Sequence, residues 1–314
     1  MRKDMNSLGI IIPVYQSKNV LVSVVSEIIE ILSNSSELEK LNFKLNKIYL
    51  VDDGSIDGSY ETINELSSNN LIFPIYLNRN YGQHAAIFAG VLSSTEEVLV
   101  TMDEDGEHNP LVIIEMIKIL LNDQVDIVYA KFISRNLDYK ELSSRYAKKF
   151  ISKISRDSNI KHISSFRAVN GSVFRTAAVY ANNGSFLDVA LSWISNRIST
   201  VETTKRNTHR KSTYSFKGLV NHFSKLFFAA GIKPLIFLFN LGWVVSLGSL
   251  IAILIIIYRK VFSSIPVQGW VSNIIVIVFF GGIMISSIGL VARYLSSIVE
   301  TSSGKPFFTI KNQK

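Results

Sequence analysis

Residues 98–110 read VLVTMDEDGEHNP, an apolar run that stops at an acidic turn and leads into Asn109 and Pro110. Val98 to Met102 predicts a buried strand. Leu111 to Leu121 has the apolar spacing of a helix and begins beside Pro110, whose fixed φ suits a helix start. Between the two, Asp103, Glu104, Asp105 and Glu107 place four carboxylates within five positions. Such crowding costs repulsion unless a cation sits among the acids. Asp103 and Asp105, with Glu107 beyond them, supply the hard oxygen ligands that magnesium or manganese take. A solvated acidic turn is the plainer alternative for the same residues.

The strand-then-turn pattern recurs upstream. Leu8 to Val14, Ile48 to Val51, Leu71 to Leu77 and Asp126 to Ala130 read as further strands, and Val20 to Leu32 shows helical spacing. This alternation predicts an α/β domain with a mainly parallel sheet. Such sheets bind ligands at the carboxyl ends of their strands. Pro13, Val14 and Tyr15 follow the first strand, and Asp52, Asp53, Gly54, Ser55 and Asp57 follow the second.

Composition divides the chain in two. Of 314 residues, 47% are hydrophobic and only 18% charged, and the apolar excess is concentrated between Pro234 and Ala292. Pro234 to Tyr258 carries no formal charge and is long enough, at helical rise, to cross a hydrocarbon core of about 30 Å. Val271 to Ala292 predicts a second span, and the short connection between them suits a helical hairpin. Arg206, Arg210, Lys211, Lys217, Lys225 and Lys233 precede the first span, while Arg293, Lys305, Lys311 and Lys314 follow the second. This bias places both termini on the cytoplasmic side. Gly242, Gly248, Gly281, Gly282 and Gly289 could let helices approach closely, an expectation of self-association.

The resulting division is a cytoplasmic domain over 1–215, a juxtamembrane amphipathic segment over 216–233, spans at 234–258 and 271–292, and a cytoplasmic tail over 293–314. Tyr139 to Ile154 has the mixture of an interfacial helix. The net charge of +8 gathers towards the apolar segments, which favours a membrane surface over nucleic acid. Met1 to Ser7 lacks the apolar run of a signal peptide, so the first domain is expected to stay cytoplasmic. The chain has no cysteine, which excludes disulfides and thiolate metal sites.

IIPVY, VDDGSIDGS, NRNYGQHAAIFAG and MDEDGEHNP, in that order and at these separations, resemble the family 2 glycosyltransferases of the GT-A fold. Within that family the resemblance is to polyprenyl-phosphate glycosyltransferases such as dolichol-phosphate mannose synthases and bacterial undecaprenyl-phosphate glucosyltransferases. It covers roughly residues 8–230, and the two spans match the bacterial members. It implies a nucleotide-sugar donor, UDP in preference to GDP, a polyprenyl-phosphate acceptor and a place in the bacterial inner membrane. The product would be a lipid-linked sugar for modifying surface glycans.

By the same resemblance, Pro13, Tyr15, Asp52 and Asp53 line the nucleotide pocket with Asp103 and Glu104, and Arg79 to Gly82 shape its wall. Asp103 and Asp105 match the DxD metal motif, and Glu107 stands where many members have glutamine. In ISSFRAVNGSVF, residues 163–174, Phe166 and Arg167 match the segment written G-D-F-R-L, with Ser165 at the aspartate position. Arg167 is a catalytic candidate on that match. Asp188, in FLDVALSW, is a candidate base, with capping of the following helix as its other role. Arg206, Ser212 and Tyr214 match R-x-x-x-G-x-S-x-Y, a candidate acceptor-phosphate site with Lys211, and Arg210 replaces the glycine.

A lipid phosphate is already ionised near neutral pH, so attack on the anomeric carbon needs no strong base, and a single inverting displacement is the expected chemistry. Two other readings are a catalytically silent nucleotide-sugar-binding scaffold, suggested by Ser165, Glu107 and Arg210, and a processive synthase. The second lacks a Q-x-x-R-W pattern.

Overall fold

Leu8 to Val14 are buried without interruption, as a strand covered on both faces must be. This strand, β1 (Asn6–Val14), pairs in parallel with β2 (Phe43–Asp52) on one side and β4 (Val98–Thr101) on the other. The structure, a computed structural model, describes residues 5–133, 164–180, 187–204, 206 and 306–311, with separate helical positions between 251 and 299.

Among the described residues seven strands form one sheet in the order β3-β2-β1-β4-β6-β5-β7, adding β3 (Ile72–Tyr76), β5 (Ile127–Phe132), β6 (Arg167–Asn170) and β7 (Ile198–Thr203). Only β6 runs against its neighbours, antiparallel to both β4 and β5. The mainly parallel α/β sheet is as expected. Pro74 lies in β3, which among the named strands of the described residues pairs with β2 alone, so its missing N–H falls at a sheet edge where a ladder bond can be spared.

Alternation along β1 splits the core into two layers. Ile10 and Ile12 face α1 (Lys18–Leu32) and α5 (Val112–Asn122), while Ile11 faces α4 (Gln83–Ser93), α6 (Gly171–Tyr180) and α7 (Leu187–Ile194). Short helices α2 (Ser36–Lys40) and α3 (Ser59–Leu66) flank β2. In α1 the buried positions Leu21, Val24, Val25, Ile28 and Leu32 keep helical spacing, the pattern that makes this helix readable.

Helix α4 had no such signature, because Ala85 to Val91 are all buried between the sheet and α6, which erases amphipathic contrast. Strands β6 and β7 were also not anticipated. Each is short, and β6 joins the sheet only through partners distant in sequence.

The expected spans 234–258 and 271–292, the juxtamembrane segment and the helix at 139–154 lie largely or wholly outside the described residues. Among the described residues no helix is long and apolar enough to cross a membrane.

Candidate active site

The carboxyl ends of β1, β2, β3 and β4 open on a cavity of about 300 Å³ lined by Pro13, Val14, Tyr15, Asp53, Asn80, Gly82, Gln83, Asp103, Glu104 and Asp105. Four separate turns reach this one place because parallel strands carry their following loops to the same sheet edge.

The second turn is built by close backbone approach. Gly54 has φ +72°, and a Cβ there would lie 2.7 Å from the Arg79 carbonyl carbon and the Asn80 nitrogen, so only glycine lets the loop at 78–82 pack against it. Asp53 then ties the loop down, with Oδ1 accepting the Tyr81 N–H at 2.7 Å and Oδ2 the Gly82 N–H at 2.8 Å. Gly82, at φ +95°, has the backbone freedom that this hairpin of donors requires.

The acidic turn is held as firmly. Asp103 accepts from Gln83 Nε2 at Oδ1 and from Ser165 Oγ at Oδ2, both at 2.6 Å. Ser165 is in turn fixed by its carbonyl, which accepts from Thr101 Oγ1 at 2.7 Å. His108 is buried and stacked on Phe166 (4.8 Å between ring centroids) and Phe132 (5.3 Å), and its Nδ1 accepts the Asp103 N–H at 3.1 Å. The histidine therefore shapes the turn from beneath. Glu104 accepts from Ser17 Oγ at 2.9 Å, and Asp105 Oδ1 accepts the Glu107 N–H at 3.0 Å.

Burial raises the Glu104 carboxyl above its ordinary value, and likewise those of Asp52 and Asp53; the Ser55 hydroxyl and N–H partly offset this at Asp52, the Tyr81 and Gly82 N–H groups at Asp53. A carboxyl whose folded pKa exceeds its unfolded one contributes most to stability below the unfolded pKa and loses that contribution as pH rises through the folded one. An Asp52→Asn protein is therefore expected to gain thermal stability relative to the parent as the pH is raised from the ordinary carboxylate range, about 4, towards neutrality. Melting curves across that range check it, and a constant offset between the two proteins would contradict it.

Seven of the expected site residues meet in this cavity: Pro13, Tyr15, Asp53, Gly82, Asp103, Glu104 and Asp105. Asp52 is buried beside it and accepts the Ser55 N–H at 3.1 Å, while Arg79 stacks over Tyr81 at 4.8 Å. Glu107 is not among the lining residues, and no group of three or more His, Asp or Glu side chains arranged to hold a metal occurs among the described residues. Of the three carboxylates expected from sequence to hold a metal, Asp103 and Asp105 line the cavity, while Glu107 meets Asp105 through its backbone N–H.

Arg167 and Asp188 are not among the residues that line the cavity. Both are buried away from the cavity lining, paired with each other, and Tyr129 Oη donates to Asp188 Oδ1 at 3.0 Å. Asp188 lies inside the first turn of α7 rather than before it, so capping is not its role. Arg206 spends its guanidinium on Glu27 (2.6 Å) and Asn109 (2.9 Å), which pins the chain after β7 to the acidic turn. Arg210, Lys211, Ser212 and Tyr214 lie outside the described residues.

Gln83 and Ser165 were not assigned as site residues, and Asn80 entered only within the range Arg79 to Gly82 given for the pocket wall. Asn80 and Gln83 stand within a quoted motif but carry no chemistry that marks them in isolation. Ser165 registered only as a missing acid, whereas the structure makes it a donor to Asp103.

Residues 9–181, which contain all seven of these lining residues, match the profile described as Glycosyl transferase family 2. The chain belongs to that family. It is a glycosyltransferase, and its relatives span nearly its whole length. It is 26% identical to the undecaprenyl-phosphate 4-deoxy-4-formamido-L-arabinose transferase of Proteus mirabilis (strain HI4320), over 98% of this chain and 94% of that protein. It is 28% identical to the bactoprenol glucosyl transferase of Shigella phage SfX, over 88% of this chain and 92% of that protein.

Among solved structures the glycosyltransferase resembles mannosyl-3-phosphoglycerate synthase from Rubrobacter xylanophilus, with a TM-score of 0.53 and 14% identity over 71% of this chain and 72% of that one. It also resembles glucosyl-3-phosphoglycerate synthase from Mycobacterium tuberculosis in complex with Mn2+, UDP and glucosyl-3-phosphoglycerate. There the TM-score is 0.51 and the identity 12%, over 72% of this chain and 79% of that one. At these identities the likeness establishes the GT-A fold.

Proposed function

We propose that the enzyme transfers a sugar from a nucleotide-sugar, with UDP favoured, to undecaprenyl or a similar polyprenyl phosphate in a bacterial inner membrane. One observation carries the donor half of this reading. The cavity is lined by Asp53, Asp103, Glu104 and Asp105 and by no lysine or arginine among the described residues, so an anionic diphosphate enters only in the company of a cation. Asp103 and Asp105 both face the cavity with hard oxygens, a donor set that fits Mg2+ or Mn2+ when the donor's own phosphate oxygens complete it. When bound, the ion neutralises charge building on the departing nucleoside diphosphate. The Mycobacterium tuberculosis fold neighbour holds Mn2+ and UDP together, in keeping with this reading.

The chain's own residues do the positioning. Gln83 and Ser165 hold Asp103 at a fixed angle, and Asp53 holds the wall formed by Asn80 and Gly82. An acceptor phosphate oxygen attacks the anomeric carbon from the face opposite the leaving group. The new C–O bond forms as the bond to the diphosphate breaks, and the diphosphate departs with the electron pair. No proton need be removed from the acceptor. Arg210, Lys211, Ser212 and Tyr214 remain the proposed acceptor-phosphate groups, while Arg206, occupied by Glu27 and Asn109, anchors that segment. We read the Arg167–Asp188 pair as structural.

Two observations support the acceptor half: the names of the relatives, and the described helical positions within 251–291, where Ile251, Ile277, Met284, Ile288 and Val291 are apolar and exposed. This fits spans at 234–258 and 271–292 following a cytoplasmic domain, with self-association through their glycines.

The test is transfer from radiolabelled UDP- and GDP-sugars to undecaprenyl phosphate by purified protein with Mg2+ or Mn2+ and an EDTA control. Labelled lipid that disappears with EDTA is the expected result. Donor hydrolysis or binding with no lipid product across the panel overturns the acceptor.

A further inference from the structure

After residues that lie outside the described set, the chain returns to the free edge of β3. Ile310 pairs antiparallel with Leu77, the Lys311 N–H donates to the Tyr76 carbonyl at 2.7 Å, and the Asn78 N–H donates to the Thr309 carbonyl at 3.0 Å. Main-chain bonds of this kind are what an exposed sheet edge offers. Side chains add to them. Phe307 packs edge-on against Phe88 of α4 at 5.4 Å, and Lys311 Nζ lies 5.3 Å from the centroid of the Tyr60 ring. The Thr309 hydroxyl bonds Asn78 Nδ2 at 2.8 Å and the Tyr81 hydroxyl at 2.7 Å.

Asn78 and Tyr81 bracket the loop that walls the cavity. The Tyr81 and Gly82 N–H groups hold Asp53, and Asn80 lines the cavity between them. The loop is thus gripped from two sides, by Asp53 within and by Thr309 without, and the outer grip comes from a segment more than two hundred residues along the chain.

We infer that residues 306–311 are a positioning element of the donor pocket, with Thr309 holding the 78–82 loop in its nucleotide-binding shape. This rests on reading the cavity as the donor site. A hydroxyl can accept from Asn78 while sharing its proton with Tyr81, and valine, of the same shape, can do neither. Serine can do both.

The test uses the full chain in detergent, with UDP and Mn2+ as the probe and GDP with Mn2+ in parallel, read by calorimetric titration and by melting temperature. Thr309→Val is expected to weaken nucleotide binding about tenfold through the loss of two hydrogen bonds, and Thr309→Ser to stay within about twofold of the parent. In the transfer assay Thr309→Val should raise the donor KM and leave the lipid KM unchanged. Equal binding by the parent and Thr309→Val overturns the inference alone. So does an equal loss in the valine and serine proteins, or one that tracks a fall in melting temperature. A parent protein that binds neither nucleotide overturns the donor-site reading, and this inference with it.

Discussion

Replacing Asp105 by alanine is expected to lower sugar transfer by roughly a hundredfold or more while leaving the melting temperature within a few degrees of the parent. The carboxylate lines the cavity with Asp103, and the hydrogen bond found for it is accepted from the Glu107 N–H within the same turn. It is only half-buried, so its loss opens no void in the core. What is lost is one of two oxygen donors that keep a cation beside the leaving diphosphate, in a cavity with no lysine or arginine among its lining residues. A hundredfold loss corresponds to about 2.7 kcal/mol of transition-state stabilisation, an ordinary magnitude for removing one preorganised charge-stabilising group. Rates measured over a Mn2+ titration sharpen the test, because partial recovery at high metal is the signature of a weakened ligand set. Full activity in Asp105→Ala without added metal dependence would rule out this role.

Asp188→Ala is expected to act on stability, costing about 3–5 kcal/mol by leaving Arg167 charged and buried. Arg167 is 2% exposed and Asp188 8%, and among the described residues the Arg167 Nε already has no hydrogen-bond partner. The guanidinium rests 5.5 Å from the centroid of the Tyr129 ring, and Tyr129 Oη donates to the same Asp188 oxygen that Arg167 holds. Removing the acid therefore strands a cation and a phenol together. In the parent protein, burial and then the neighbouring Asp188 carboxylate raise the Tyr129 phenol well above its ordinary value, so it stays a neutral donor to the pair.

The paired change Arg167→Met with Asp188→Leu should recover most of the lost stability, since it removes both charges from an apolar setting. Chemical denaturation of the parent, Asp188→Ala and the paired variant checks this. A normally stable Asp188→Ala that fails in turnover would instead return Asp188 to the chemistry.

Parts of this architecture were legible residue by residue. The alternation of apolar runs and helical spacing marked β1 to β5, α1 and α5, because the strands are short apolar runs buried between two core layers and the helices turn one spaced apolar face to the sheet. Helix α4 escaped because it is buried all round, and β6 because four residues inserted antiparallel between β4 and β5 have no local period to read. Within the site, the acids at the ends of β2 and β4 were visible because crowded carboxylates are chemically unusual wherever they occur. Glu107 looked equivalent to Asp103 and Asp105 in one dimension, but only those two are among the residues that line the cavity.

The residues by themselves determined the α/β class, the strand ends that carry ligand chemistry and the acidic turn at Asp103 to Glu107, since these depend on local periodicity and on charges adjacent in the chain. Only the tertiary structure decided which polar groups are spent on one another. Arg167 is consumed by Asp188, Arg206 by Glu27 and Asn109, Asp53 by the Tyr81 and Gly82 N–H groups, and Thr309 by Asn78 and Tyr81. Hydrogen bonds and ion pairs require approach within about 3 Å, and which groups so distant in sequence come that close is a property of packing.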